Sequence, residues 1–124
     1  MIAIGTDILR IERIEDVVAR LGDRFVQRIL TPVEQAEYNA SPLPNRLLAK
    51  RFAAKEAIAK ALGTGLGRGV SWQDITVAHD ANGAPVVELG GGAREVALAR
   101  GGSRVELSLA DEADYVVAFA VLAR

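Results

Sequence analysis

The chain lacks cysteine and contains a single histidine, His79, among its 124 residues. Without cysteine there is no disulfide framework, no thiolate metal site and no cysteine nucleophile, which suits a reducing compartment. One histidine gives little support to a Ser-His-Asp relay or to a histidine-based metal site. A metal ion, if the protein uses one, is therefore expected to have oxygen ligands.

Long apolar segments are also missing. The opening run, residues 1–4, is interrupted by Gly5 and then Asp7, so it is shorter than the roughly 7–15 apolar residues of a secretory signal. The longest apolar run, residues 116–123, falls far below the ~18 residues of a membrane span. We expect a cytoplasmic protein that does not associate with membranes.

Length and composition fit one domain, residues 1–124, because half of the residues are hydrophobic and can form one core. The formal net charge is −1. A protein that binds nucleic acid is usually strongly basic, so we expect no nucleic-acid partner.

The charge is unevenly distributed. Residues 45–68 contain one acid, Glu56, and six basic residues, whereas the rest of the chain has nine basic and fifteen acidic ones. The six basic residues are Arg46, Lys50, Arg51, Lys55, Lys60 and Arg68. This separation favours local capture of a small phosphorylated anion.

Hydrophobic spacing and turn residues predict the order of the elements. The longest is a helix over residues 45–62 that Gly63 ends. Thr31-Pro32-Val33-Glu34 has the pattern of a capping box and predicts the start of another helix. The remaining predicted elements are a strand at 2–4, helical segments at 11–21 and 25–30, a hairpin of strands 74–78 and 85–89 around Asn82-Gly83, a helix at 93–99, and strands at 105–109 and 115–122.

The final strand is apolar at consecutive positions from Val116 to Ala123. Both of its faces must then be covered, and a domain of this size has little material to cover both. This pattern predicts self-association through the last strand.

Two carboxylates, Asp7 and Glu56, lie among apolar neighbours, where an uncompensated charge is costly. Together they could hold one Mg²⁺, which takes one or two carboxylates in addition to substrate phosphates. Two simpler roles stay open. Asp7 could be the N-cap of the following helix, which position alone favours, and Glu56 could pair with Lys60 one turn later.

The basic side chains have alternative roles too. Lys60, Arg51 and Lys55 could contact phosphates, or form a solvated basic helix face. The glycines of residues 63–69 do not follow the Walker A order and are better explained as a helix cap. Five arginines of the first helices could meet an acidic protein or pair with interleaved acids; they are Arg10, Arg13, Arg20, Arg24 and Arg28.

Residues 51–65, RFAAKEAIAKALGTG, preceded by Ile4-Gly5-Thr6-Asp7, closely resemble the holo-[acyl carrier protein] synthase family of 4'-phosphopantetheinyl transferases. The likeness covers nearly the whole chain, including the segment from Trp72 into the hairpin and the closing residues 107–112. Many relatives have a Ser/Thr-His pair where this chain has Ala110-Asp111, so a coenzyme A contact by that histidine cannot be carried over.

The resemblance implies an α+β fold, with one long central helix packed on a small, mainly antiparallel sheet. It also implies a homotrimer with the active site at the junction of two subunits. Members of this family transfer 4'-phosphopantetheine from coenzyme A to a serine of apo acyl carrier protein, a step that serves fatty acid biosynthesis. They release adenosine 3',5'-bisphosphate and require Mg²⁺, with Mn²⁺ as a possible substitute.

The resemblance also assigns residues. Asp7 and Glu56 are implied to hold the metal, and with Lys60 to form the catalytic group. Lys60 and Arg51 are implied to contact coenzyme A phosphates, with the nucleotide near Gly63, Thr64 and Gly65. Arg13, Arg24 and Arg28 are implied to dock the carrier protein.

Two other functions stay open at this point. One is a non-catalytic module that binds coenzyme A or a nucleotide and oligomerises, which the presence of Asp7, Glu56 and Lys60 together disfavours. The other is an enzyme of the same chemistry dedicated to carriers of secondary metabolism.

Overall fold

The computed structural model describes all residues from Met1 to Arg124. It contains five strands and five helices, with a 3₁₀ turn at Trp72–Asp74. The strands are β1 (Ala3–Arg10), β2 (Ile75–His79), β3 (Pro85–Leu89), β4 (Arg104–Asp111) and β5 (Tyr115–Ala123). The helices are α1 (Ile11–Leu21), α2 (Asp23–Ile29), α3 (Pro32–Ala40), α4 (Pro44–Ala61) and α5 (Gly91–Ala99). The predicted α+β class is confirmed.

Strand pairing is antiparallel throughout. Three strands form a sheet in the order β1-β5-β4, and β2 and β3 form the predicted hairpin. In the larger sheet Ala118 of β5 lies opposite Asp7 on one side and Leu109 on the other. The first and last strands of the chain are therefore neighbours, and β5 is the central strand.

The long helix α4 packs on the three-stranded sheet, and its buried side is made largely of alanine. Its observed bounds differ from the predicted 45–62 by one residue at each end. Pro44 takes the first helical position, where a missing N–H costs nothing. Gly63, with φ of +83°, follows the helix end, in the left-handed conformation that glycine adopts most readily.

Gly5 allows β1 to lie directly against this alanine surface. A Cβ at Gly5 would collide with Ala57 O and lie 2.6 Å from Ala61 N. The prediction of a strand limited to residues 2–4 was wrong, because Gly5 serves this close approach and β1 continues to Arg10. The N-cap of α1 is Arg10, so Asp7 does not have the capping role that its position had favoured.

The predicted capping box between Thr31 and Glu34 is formed. Strand β5 has one face buried towards α4, whereas most of its other face, which was also predicted to need a cover, is exposed in the single chain. No helix combines the length and the apolar character that a bilayer span requires.

Candidate active site

Strand β1 directs Asp7 towards α4. Side chains alternate along a strand, and Gly5 and Leu9, two positions before and after Asp7, are both buried. The intervening Thr6 and Ile8 face outwards and are exposed. Asp7 therefore lies on the inner face of the sheet, beside the point where Gly5 meets Ala57 and Ala61.

Helix α4 brings Glu56 to the same place. Partial burial raises the pKa of the Glu56 carboxyl, and the negative charge of Asp7 raises it further, against the attraction of Lys60 and Arg13. The two residues are 49 positions apart in the sequence, and the contact of Gly5 with Ala57 and the hydrogen bond from Lys60 to Asp7 bring their two elements together here. Two like charges at one partly buried point favour a bound cation.

Lys60 completes this group. Its Nζ donates to Thr6 O at 2.9 Å and to Asp7 Oδ1 at 3.2 Å, which connects α4 to the strand. It makes no ion pair with Glu56, so the simple pairing along the helix is absent. The Lys60 side chain is 50% exposed, so a ligand that arrives from solvent can contact its ammonium group.

The carboxylate oxygens of Asp7 and Glu56 suit a hard cation whose coordination shell is completed by oxygen atoms of the substrate. No cluster of three or more His, Cys, Asp or Glu side chains suitable for a metal occurs in the chain. A pair of carboxylates cannot enclose a cation alone, but Mg²⁺ commonly takes one or two protein carboxylates and fills its remaining positions with phosphate and water oxygens.

The glycine segment begins three residues after Lys60. The N–H groups of Thr64 and Gly65 both donate to Ala59 O, at 3.3 and 3.1 Å, and Gly65 has a positive φ of 64°. The segment caps α4, as its composition predicts, and it lies at the Lys60 end of the helix.

Arg100 also lies at this end and was not predicted. Its Nη1 donates to Ala61 O at 3.0 Å, and the guanidinium occupies the space where a Cβ of residue 63 would project. The contact joins residues 39 positions apart, and no local pattern could have indicated it.

Arg51 and Lys55 lie elsewhere. Arg51 is nine residues before Lys60, which puts it on the opposite side of α4, about 180° around the helix axis. It is 2% exposed, and its Nη2 donates to Glu37 Oε2 at 2.9 Å. Lys55 is fully buried and paired with Glu34. The suggestion that Lys55 contacts phosphate was wrong, because its ammonium has no access to a ligand.

Arg51 instead borders a separate cavity of about 280 Å³, which Lys50 and His79 also line. A guanidinium there cannot share a ligand phosphate with Lys60 of its own chain. A role for Arg51 in binding coenzyme A therefore requires a ligand held partly by another subunit.

The three arginines implied in carrier docking are exposed, and none makes an ion pair within the chain. Arg13 lies close enough to Glu56 to lower the pKa of that carboxyl. Arg24 and Arg28 flank Phe25, whose ring packs 6.1 Å from that of Phe52. The interleaved acids of α1 and α2 leave these cations free.

Asp111 has two basic partners on α4. Arg46 Nη1 donates to its Oδ2 at 2.8 Å, and Lys50 Nζ lies 3.4 Å from its Oδ1. Burial by itself would raise the pKa of Asp111, but the hydrogen bond from Arg46 and the pairing with Lys50 outweigh it and lower the pKa. The residue joins β4 to the start of α4.

Comparison with known proteins agrees with this arrangement. A family model described as the 4'-phosphopantetheinyl transferase superfamily matches residues 3–120. The chain belongs to this superfamily. It is 51% identical to the holo-[acyl-carrier-protein] synthase of Shewanella loihica over 129 aligned positions, covering 98% of this chain and 97% of that protein.

Solved structures from the same family have the same fold. The holo-[acyl-carrier-protein] synthase of Neisseria meningitidis superposes with a TM-score of 0.94 at 44% identity, covering 100% of this chain and 99% of that one. The Helicobacter pylori synthase, solved in complex with coenzyme A, has a TM-score of 0.84 at 31% identity, with 97% and 99% covered. The family expected from residues 51–65 and the Gly-x-Asp strand is confirmed. The chain is therefore a member of a transferase family.

Proposed function

We propose that the protein transfers the 4'-phosphopantetheine group of coenzyme A to a serine hydroxyl of an apo acyl carrier protein, releasing adenosine 3',5'-bisphosphate. The observation that carries this proposal is the meeting of Asp7, Glu56 and Lys60 where β1 crosses α4. Holo-[acyl-carrier-protein] synthases about half identical in sequence, and a relative solved with coenzyme A, support it. The setting is cytoplasmic fatty acid biosynthesis.

Asp7 and Glu56 are the residues that would hold Mg²⁺, or Mn²⁺ in its place. The ion supplies charge neutralisation for the diphosphate when it is bound. The protein's own task is to keep the two carboxylates together against their repulsion, and the packing of Gly5 on Ala57 and Ala61 does this.

Lys60 provides a positive charge beside the reacting phosphate. Phosphoryl transfer passes through a loose transition state, so positioning and charge stabilisation matter more than covalent help. The hydrogen bonds to Thr6 O and Asp7 hold Nζ in place before substrate arrives, which reduces the reorganisation needed during the reaction. Glu56, whose pKa is raised, and a water molecule are alternative acceptors of the serine proton.

The substrates approach from different directions in this proposal. Gly63, Thr64 and Gly65 contact the nucleotide of coenzyme A at the end of α4. Arg51 contacts the phosphates of coenzyme A bound at the carboxylate pair of a neighbouring subunit, since it lies on the far side of its own helix. This arrangement places the active site at the junction of two subunits in a homotrimer.

The carrier protein docks on α1 and α2 through Arg13, Arg24 and Arg28. Acyl carrier proteins are acidic, and three unpaired guanidinium groups on adjacent helices provide a complementary surface. Arg13 is close to Glu56, so a partner held there would have its serine near the carboxylate pair.

The test mixes the protein with coenzyme A, Mg²⁺ and an apo acyl carrier protein, and detects the phosphopantetheine adduct by mass spectrometry. We expect an adduct that EDTA prevents. Glu56→Gln should lower the rate by at least about a hundredfold, whereas Glu95→Gln, an exposed acid of α5, should match the wild type. A non-catalytic module would bind coenzyme A and form no adduct.

The preferred partner is identified by a separate comparison. Transfer rates are measured on the carrier protein of fatty acid biosynthesis and on carrier proteins of secondary metabolism.

A further inference from the structure

The buried ion pair of Glu34 and Lys55 has no part in the proposed chemistry. Both side chains are fully inaccessible, and Lys55 Nζ lies 2.6 Å from Glu34 Oε1. Removing two charges from water usually costs more than their attraction returns, so a pair of this kind is weakly justified by stability alone. Its retention in the core needs another explanation.

The contacts of the pair join several elements. Besides Glu34, Lys55 Nζ donates to Ile29 O at 2.7 Å and to Trp72 O at 3.1 Å, which uses all three of its protons. Glu34 also accepts from the backbone N–H of Thr31 and of Val77, both at 2.9 Å. The end of α2, the start of α3, the 3₁₀ turn and β2 are therefore all connected to one point on α4.

The fully buried surface of α4 contains few large side chains, although the half-buried Phe52 beside it packs on Phe25 and Trp72. Large side chains set the rotation and axial position of a helix by interlocking with their neighbours. The buried residues of α4 include only two large apolar side chains, Leu48 and Ile58. The others, apart from Arg51 and Lys55, are alanines: Ala49, Ala53, Ala54, Ala57, Ala59 and Ala61. Alanine permits close packing but resists sliding and rotation weakly.

We propose that Lys55 and Glu34 are positioning residues that fix the rotation and axial position of α4, so that Glu56, the next residue along, faces Asp7. The inference rests on the proposed function and adds a role for the opposite side of the helix. Hydrogen bonds are directional, and three of them on one ammonium group define a position that methyl contacts do not. A misplacement of about 1 Å at a reacting centre can cost about a hundredfold in rate.

The test removes both charges together, because removing one would leave the other buried and unpaired. Arg51, whose Nε lies 3.9 Å from Glu34 Oε2, keeps its hydrogen bond to Glu37 in this variant. Glu34→Gln/Lys55→Met keeps the side-chain volumes and an acceptor for the Thr31 N–H. We expect a folded protein that binds Mn²⁺, measured by isothermal titration calorimetry, at least about tenfold more weakly than the wild type. We also expect kcat to fall by at least about tenfold, with KM for the carrier protein unchanged.

The matched control removes two opposite charges that are exposed on α5, those of Arg94 and Glu95. Arg94→Gln/Glu95→Gln should bind Mn²⁺ as the wild type does. If the Glu34/Lys55 variant does not fold, Glu34→Asp is the second test. Aspartate keeps the negative charge but is one methylene shorter, so its carboxylate lies farther from Lys55. The same loss of Mn²⁺ affinity is expected.

The outcomes separate this inference from the proposed function. Wild-type Mn²⁺ affinity and kcat in the folded neutral variant, or in Glu34→Asp, would overturn the positioning role alone. If the wild-type protein itself binds no Mn²⁺, or binds it as tightly after Glu56→Gln, the metal assignment of the proposed function fails, and this inference fails with it.

Discussion

The ionised form of the Glu56 side chain is less favourable in the folded protein than in the unfolded chain. Burial, followed by the charge of Asp7, raises the pKa of its carboxyl above the ordinary value of 4.5. The folded protein therefore holds the Glu56 proton more tightly than the unfolded chain does. By linkage, the resulting stabilisation is present in full below about pH 4.5 and is lost as the pH rises through the raised pKa of the folded state.

Glu56→Gln should accordingly be more stable than the wild type in EDTA at pH 8, with a higher midpoint of thermal unfolding. The difference should shrink as the pH falls and disappear below about pH 4. Mg²⁺ at pH 8 should raise the melting temperature of the wild type but not of Glu56→Gln, because we propose that the ion binds to the native carboxylate pair. Calorimetry across this pH range checks both statements, and a variant less stable than the wild type at pH 8 in EDTA would contradict the first.

Individual site residues differed in how far they could be predicted. Asp7 and Glu56 could be singled out as candidates because an acid among apolar neighbours is conspicuous in the sequence itself. Glu34 was predicted to form a capping box with Thr31, and it does. Its pairing with Lys55 joins two residues that are 21 positions apart in sequence, and it depends on how α3 packs on α4. Local patterns contain no information on such contacts, and the same applies to Arg100.

At the scale of elements, local signals predicted helices and turns better than strand length. The predicted ends of helix α4 and of the strands β2 and β3 differ from the observed ends by no more than one residue. Proline, glycine and the Asn82-Gly83 turn define these ends locally. Strand β1 was predicted too short, because a glycine that ends a strand and a glycine that lets a helix approach look the same in sequence. This close approach of β1 to α4 is the contact that brings the proposed catalytic residues together.

Gly5→Ser tests this contact. The added Cβ would collide with the backbone of α4 at Ala57 and Ala61, and backbone cannot move aside as a flexible side chain can. We expect a loss of about 2 kcal/mol or more in the free energy of unfolding, measured by urea denaturation, and a large loss of transfer activity as Asp7 moves away from Glu56.

Gly90→Ser is the matched control for Gly5→Ser. The nearest atom to a Cβ at this position, Asp74 O, is 3.9 Å away, and serine is a favoured N-cap for α5. The control should be as stable as the wild type or slightly more stable. Equal stability of the two serine variants would show that β1 and α4 are not as closely packed as described.

At the scale of the whole molecule, the larger sheet has one face without a cover. Its inner face packs on α4, while its outer face presents large apolar side chains of β1 and β5, among them Ile8 at 65% and Phe119 at 44% exposure. The sequence predicted that both faces of β5 need covering, and one chain covers only one of them. A contiguous apolar surface of this kind is typical of a protein interface, which is why we propose that subunits associate through it.

Phe119→Glu should disrupt that association. A carboxylate at the centre of the outer face would be desolvated in an interface without a partner, which is strongly unfavourable, yet it would be hydrated in a free subunit. We expect the wild type to sediment as a trimer and Phe119→Glu as a monomer with an unchanged circular dichroism spectrum. Transfer activity should fall by at least about a hundredfold, because the active site is proposed to need Arg51 from a neighbouring subunit.

Leu98→Glu provides the comparison for Phe119→Glu, since Leu98 is another exposed apolar residue, 56% accessible, and belongs to α5 and not to the sheet. It should sediment and react as the wild type does. A Phe119→Glu protein that remains trimeric would show that subunits meet through another surface. A monomer with full activity would show that one chain contains the complete active site, which would exclude Arg51 from coenzyme A binding, because within one chain it lies on the opposite side of α4 from Lys60.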